Sequence, residues 1–199
     1  MTTYQHVSAQ NFLTPYSDKD SPHLELLSLS ALQHAVEQQV ERCMLHAKTF
    51  FPTLPSPQVW FDLRGKSAGQ AHFGRKGLRF NPVLLQQHPL LFLNQVVPHE
   101  VAHWVVQYGI SPRVAPHGKE WRYMMVHLFG IPADVTHRMD VSRASPSPFL
   151  YQCQCRDEHG QLVIHAFTSR RHNMVRKGRR YVCKRCRSEL VFYKYASVP

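Results

Sequence analysis

The run His99-Glu100-Val101-Ala102-His103 sets two imidazoles four positions apart. On a helix that spacing puts both on one face, one turn apart, where they can ligate a single metal ion. Glu100, beside the first histidine, then projects toward the open side of the ion. A carboxylate there can take a proton from water activated by the metal. The flanking residues Leu90, Leu91, Phe92, Leu93, Val96, Val97, Val101, Ala102, Val105 and Val106 are apolar, so the helix is expected to be buried. A buried Glu between two His needs a partner, and a divalent cation is the simplest one. The bland alternative, two unrelated helix histidines and a solvated Glu, fits that apolar setting poorly.

A catalytic zinc needs a third protein ligand and an open position. His117, His127 and His137 lie downstream. His117 stands in Ala115-Pro116-His117-Gly118-Lys119-Glu120-Trp121, at the entrance to the next helix, and can face back across a short connection. His127, among Met124, Met125, Leu128 and Phe129, reads as a core histidine, and His137 as a surface residue. His117 is the favoured ligand.

Four of the five cysteines crowd near the C-terminus as Cys153-x-Cys155 and Cys183-x-x-Cys186. The second pair has the spacing of a metal knuckle, and four thiolates can close a tetrahedral structural site. A module of this size with few large apolar side chains needs such a staple. The tight first pair leaves the ligand set open, with His172 or His165 as a substitute for one thiol. Free thiols or a redox pair are the alternative. Cys43 reads as a buried apolar residue.

The elements that must position these groups can be read from periodicity and turn residues. Leu24, Leu27, Leu32, Ala35, Val36, Val40, Cys43, Met44 and Ala47 predict a helix running to about Phe50. Strands are expected at 58–64, 67–73 and 78–80, with a turn at Gly74-Arg75-Lys76-Gly77. Asn81-Pro82 starts a helix, and His88-Pro89 leads into the long apolar one that carries the motif, with a kink or fresh start at Pro98. Residues 120–129 form another helix. This is an α+β layout, helices on a small antiparallel sheet, followed by a small β module from Val163, Ile164, Phe167, Val182, Leu190, Val191 and Phe192. The expected divisions are a frayed N-terminus at 1–22, a core at 23–141, a Ser/Pro linker at 142–149 and a basic module at 150–199.

The 199 residues are 43% hydrophobic and 19% charged, which excludes a disordered or collagen-like chain. The longest apolar run, near 89–97, is too short to cross a bilayer, and the N-terminus has no signal-peptide pattern, so no membrane partner and a cytoplasmic location are expected. The charge is lopsided. Residues 1–150 carry 13 basic and 10 acidic side chains, whereas 151–199 carry 11 and three, a net +8. Arg170, Arg171, Arg176, Lys177, Arg179 and Arg180, interleaved with Tyr181, Tyr193 and Tyr195, suit a phosphate backbone and stacked bases. A solvated, solubilising face is the plain alternative. No base-reading motif is visible, so the DNA binding expected here is sequence-independent.

The joint pattern resembles the SprT family, which includes the eukaryotic Spartan-type proteases. The family pairs an H-E-x-x-H helix with a later H-G-x-x-aromatic stretch, matched here by His99–His103 and by His117-Gly118-Lys119-Glu120-Trp121. Ala68-Gly69-Gln70-Ala71 and Leu78-Arg79-Phe80-Asn81 resemble its strand pair before the motif helix. Tyr151-Gln152-Cys153-Gln154-Cys155, Arg171-His172-Asn173 and Tyr181-Val182-Cys183-Lys184-Arg185-Cys186 resemble the bacterial SprT zinc ribbon. The resemblance implies a zincin-like metalloprotease core, zinc on His99, His103 and His117, and Glu100 as general base. It also implies a second, structural zinc and protein substrates held on DNA, with a nucleoid association. Two other readings remain: a non-catalytic zinc protein with a vestigial H-E-x-x-H site, and a small-peptide hydrolase, which would leave the basic tail without a role.

Overall fold

The structure is a computed structural model and describes residues 16–196. The frayed segment expected at 1–22 lies outside the described residues as far as residue 15. Beyond it the expectation needs correction, because a 3-10 turn at Asp18–Asp20 leads directly into α1 (Ser21–Glu25), which buries Leu24. In sequence the molecule divides into two compact units between Asp140 and Val141.

In the first unit, α2 (Leu29–Lys48) begins where Ser28 caps it, its hydroxyl accepting the Ala31 N–H at 3.2 Å. Such a cap stabilises a helix by about 1 kcal/mol. That cap splits the single helix expected from Leu24 to Phe50 into α1 and α2. The stripe Leu32, Ala35, Val36, Gln39, Val40, Cys43, Met44 and Ala47 is buried. Burial pushes the Cys43 thiol up to about 12, as befits an inert core side chain.

β1 (Gln58–Trp60), β2 (Gly69–His72) and β3 (Gly77–Phe80) form a sheet ordered β1-β3-β2. It is mixed, not antiparallel: β2 and β3 make the expected hairpin, but β1 pairs with β3 in parallel. The strand expected to run to residue 64 stops at Trp60, and the chain from 61 to 68 crosses back to β2 on the far side of β3. Asn81, fully buried, staples that crossing by donating its side-chain N–H to the carbonyls of Gly65 and Ser67. Its carbonyl oxygen also caps α3 (Pro82–Gln87).

The motif helix starts at α4 (Pro89–Leu91), widens into a π-helical turn at Phe92–Val96, continues as α5 (Val97–Val105) and ends in a second π turn at Val106–Ile110. Pro98 was expected to kink or restart it. A proline ring clashes with the carbonyl four residues back, and the wider turn before it, closed by Val97 N–H to the Phe92 carbonyl, absorbs the misfit. Residues 89–110 therefore stay helical. α5 packs against α2 and β2, with Val97, Val101 and Trp104 buried. α6 (Lys119–Tyr123) follows, with a third π turn at Met124–Leu128.

The second unit is a sheet of β4 (Phe149–Arg156), β5 (Leu162–Phe167) and β6 (Val191–Tyr195), ordered β5-β4-β6 and antiparallel throughout. It also contains α7 (Ser169–Arg176), which the β-only expectation lacked. Thr168 caps α7 at one end, and Gly178, at φ +88°, turns the chain out at the other. The core is small: Tyr151, Phe167, Leu190 and the sulfurs of Cys153, Cys155 and Cys183. No helix among the described residues is long and apolar enough to cross a membrane.

Candidate metal centres

His99 and His103 leave the same face of α5, and His117 enters from the loop before α6. Their three Nε2 atoms form a triangle with every side 3.2 Å. Hydrogen bonds cannot account for it. In a neutral ring Nε2 is either a donor or an acceptor, and around a triangle at least one side must then join two donors or two acceptors. A shared cation removes the conflict. Zinc–nitrogen bonds of about 2.0–2.1 Å put tetrahedral ligands about 3.3 Å apart, and three protein ligands leave one position open. The donor set and its spacing fit zinc.

Burial holds the His99 ring well below the usual histidine range, at about 4. The charge of His117 adds to this, and a backbone hydrogen bond to Asp134 opposes it. His103 lies lower, at about 3, again through burial first and then through His99 and His117. His117 is lowered too, by burial and then by Arg122. Burial thus disfavours the charged form of all three rings, and the neutral imidazole is the form that ligates.

Beneath the triangle lies Trp121, fully buried. Its ring centroid is 4.6 Å from His99, 5.5 Å from His103 and 4.7 Å from His117. Glu100 is 6% exposed and accepts the Ala71 N–H on Oε2 at 2.8 Å. Burial pushes its carboxyl up to about 8, opposed by the Ala71 bond. A cation at the neighbouring imidazoles acts against that shift. The histidines passed over as ligands are not part of the triangle. His127, expected in the core, is exposed and packs on Tyr123 at 4.4 Å, because it lies off the face shared by Trp121, Met124, Met125 and Leu128. His137 faces the Lys66 carbonyl at 3.2 Å.

In the second unit the sulfurs of Cys153, Cys155, Cys183 and Cys186 lie within 4.8 Å of one another, with Cys155 and Cys183 3.8 Å apart. Zinc–sulfur bonds of about 2.3 Å give tetrahedral edges of about 3.8 Å, so this set fits zinc as well. Ser188 holds the Cys186 thiol down to about 5, through its hydroxyl and then its backbone. His165 approaches the edge of the cluster, 3.3 Å from the Cys153 sulfur. His172, offered as a substitute ligand, is engaged elsewhere. It stacks on Phe149 at 3.9 Å and meets the Tyr151 hydroxyl at 2.9 Å.

Arg170, Arg171 and Arg176 lie on α7, and Lys177, Arg179 and Arg180 follow its end; all six are exposed. Arg171 covers the rings of Phe167 and Tyr181 at 5.0 and 5.6 Å. Tyr193 and Tyr195 are exposed on β6. The roles of Ala71 and Ser188 were not visible in the sequence, since both act through contacts across the fold.

A family model described as SprT-like matches residues 40–137. The chain is 44% identical over 155 residues to Protein SprT of Pseudomonas paraeruginosa, covering 77% of this chain and 92% of that one. It is also 44% identical over 162 residues to Protein SprT of Pseudomonas syringae pv. tomato, covering 81% and 96%. Protein SprT of Pseudomonas fluorescens is 42% identical over 155 residues, covering 77% and 92%. No solved structure matches the chain. With both halves of the histidine motif brought to one point and this likeness along most of its length, the chain belongs to the SprT family.

Proposed function

We propose that this chain is a zinc metallopeptidase with a zincin-like core, acting in the cytoplasm on proteins bound or crosslinked to DNA. In this reading the second unit is a zinc ribbon that holds DNA without regard to sequence. The observation that carries the peptidase reading is Glu100, a buried carboxyl held by the Ala71 N–H and next in sequence to His99, one of three convergent imidazoles. A purely structural zinc site needs no such group, and burying it is costly.

Bound by His99, His103 and His117, zinc supplies carbonyl polarisation and a lowered water pKa. The chain does the rest. Ala71 occupies Glu100 Oε2, leaving Oε1 to receive a proton as the water oxygen bonds to the peptide carbon. Glu100 then returns that proton to the departing nitrogen as the C–N bond breaks. The basic α7 region of the ribbon raises the local concentration of DNA-borne substrates.

The test is cleavage of a protein crosslinked to DNA by the purified chain, its chelator-treated form and Glu100→Gln. Gln keeps the shape and cannot take a proton, so zinc content and fold should persist while cleavage disappears. Cleavage by Glu100→Gln at the wild-type rate would refute the mechanism.

A further inference from the structure

We infer that Gly69 is a positioning residue for Glu100: its missing side chain is the space in which the Glu100 carboxyl is held. A Cβ built on Gly69 would lie 2.6 Å from Glu100 Cγ, 2.6 Å from Oε1 and 2.9 Å from Cδ, closer than real Cβ atoms come. The backbone gives no other reason for glycine here, since Gly69 is absent from the glycines at positive φ. A glycine within a strand weakens it and often marks a close approach. Here the approaching group is the carboxyl.

The strand register explains the rest of the cradle. Ala68 accepts the Asn81 N–H at 2.9 Å, so Ala68, Gln70 and His72 turn their backbone groups toward β3. Gly69 and Ala71 turn theirs to the open edge, since β2 is an outer strand. Ala71 spends its N–H on Glu100 Oε2, and Gly69 leaves room for Oε1 and the stem above it. One oxygen is thereby tied by a hydrogen bond, and the other is seated in the space that Gly69 leaves. The side chain cannot swing away from a methyl group at position 69 without losing the Ala71 bond and its burial.

The catalytic consequence rests on the peptidase reading; the geometric one does not. A displacement of about 1 Å at a reacting group can cost about 100-fold in rate, so Gly69→Ala should lower kcat by about that factor with zinc content unchanged. The decisive experiment needs no substrate. Gly69→Ala is introduced into the full zinc-loaded chain in three backgrounds: native, Glu100→Gln and Glu100→Ala. Gln keeps the atoms that the new methyl would strike, and Ala removes them. Gly69→Ala should lower Tm by about 2–4 °C or more in the native and E100Q backgrounds. In E100A the loss should vanish or reverse. If Gly69→Ala does not fold in the native background, folding in E100A supports the inference and failure in both overturns it. An equal loss in all three backgrounds, or none in any, also overturns it. A native chain without peptidase activity would sink the peptidase reading and leave the thermal comparison intact.

Discussion

Trp121 donates its indole N–H to the carbonyl of His99 at 3.3 Å, so the ring that floors the three imidazoles is tied to the helix that carries two of them. His117 and Trp121 sit on either side of the start of α6, so the same indole also fixes where His117 enters. Trp121→Phe keeps an aromatic floor but drops the N–H. Groups that orient ligands from behind typically cost 10–100-fold in metal affinity when lost. Zinc affinity at the triad, measured by competition with a chelator, should fall within about that range while the fold persists. A lower Tm with unchanged affinity would make Trp121 a packing residue and nothing more.

The two metal sets belong to separate cores. Cys183 and its partners build the small core of the second unit, and no residue of the histidine triad lies in it. Cys183→Ser should therefore remove one zinc per chain, leave the other, and expose Tyr151 and Phe167. Metal analysis with near-ultraviolet circular dichroism reads both effects. Loss of both metals, or of neither, would contradict independent sites.

The grouping of the three histidines was legible because it lies in local spacing. His99 and His103 share a face by helical period alone, and His117 lies a short loop away. What stayed hidden depends on partners far along the chain. Nothing local says that β1 runs parallel to β3, because that direction is set by Asn81 holding the 61–68 crossing. Pro98 spells a kink by local rules, yet helical packing on both sides favours a widened turn. α7 has a mostly polar sequence with no apolar stripe, so periodicity could not reveal it; Thr168 and Gly178 were the signals to weigh. Gly69 stood only as one residue of an expected strand, and its contact with Glu100 is set by a residue 31 positions along the chain.

Asp62 offers a pH test away from both metals. It bridges Arg79 and Arg75, each at 2.8 Å, and Arg79 first, then Arg75, holds its carboxyl down at about 2. The folded value lies below the unfolded one, so the bridge stabilises fully above the ordinary carboxyl range and is lost as pH falls through about 2. The site is exposed, and the effect should be small and weakened by salt. Asp62→Asn should lower Tm slightly at pH 6, and the gap to wild type should narrow below about pH 4. A gap independent of pH would mean that the carboxylate charge plays no part.

The last prediction concerns the basic stretch at the end of α7. Arg176, Lys177, Arg179 and Arg180 are exposed, and the closest acidic contact among them is the loose Arg180–Glu189 pair at 3.9 Å. Arg171 differs, since its guanidinium covers Phe167 and Tyr181. Replacing the four exposed residues with Ala should weaken DNA binding and lower the log–log salt slope by about three to four, at about 0.9 per lost phosphate contact. Tm should hardly move, because none of the four is buried. Arg171→Ala should do the reverse: a measurable loss of Tm from the uncovered rings, and a slope change of about one or less. Cleavage of a DNA-borne protein should slow in the fourfold variant, whereas cleavage of a free peptide should not. An unchanged salt slope in that variant would reduce the stretch to a solubilising face and remove the structural ground for DNA as partner.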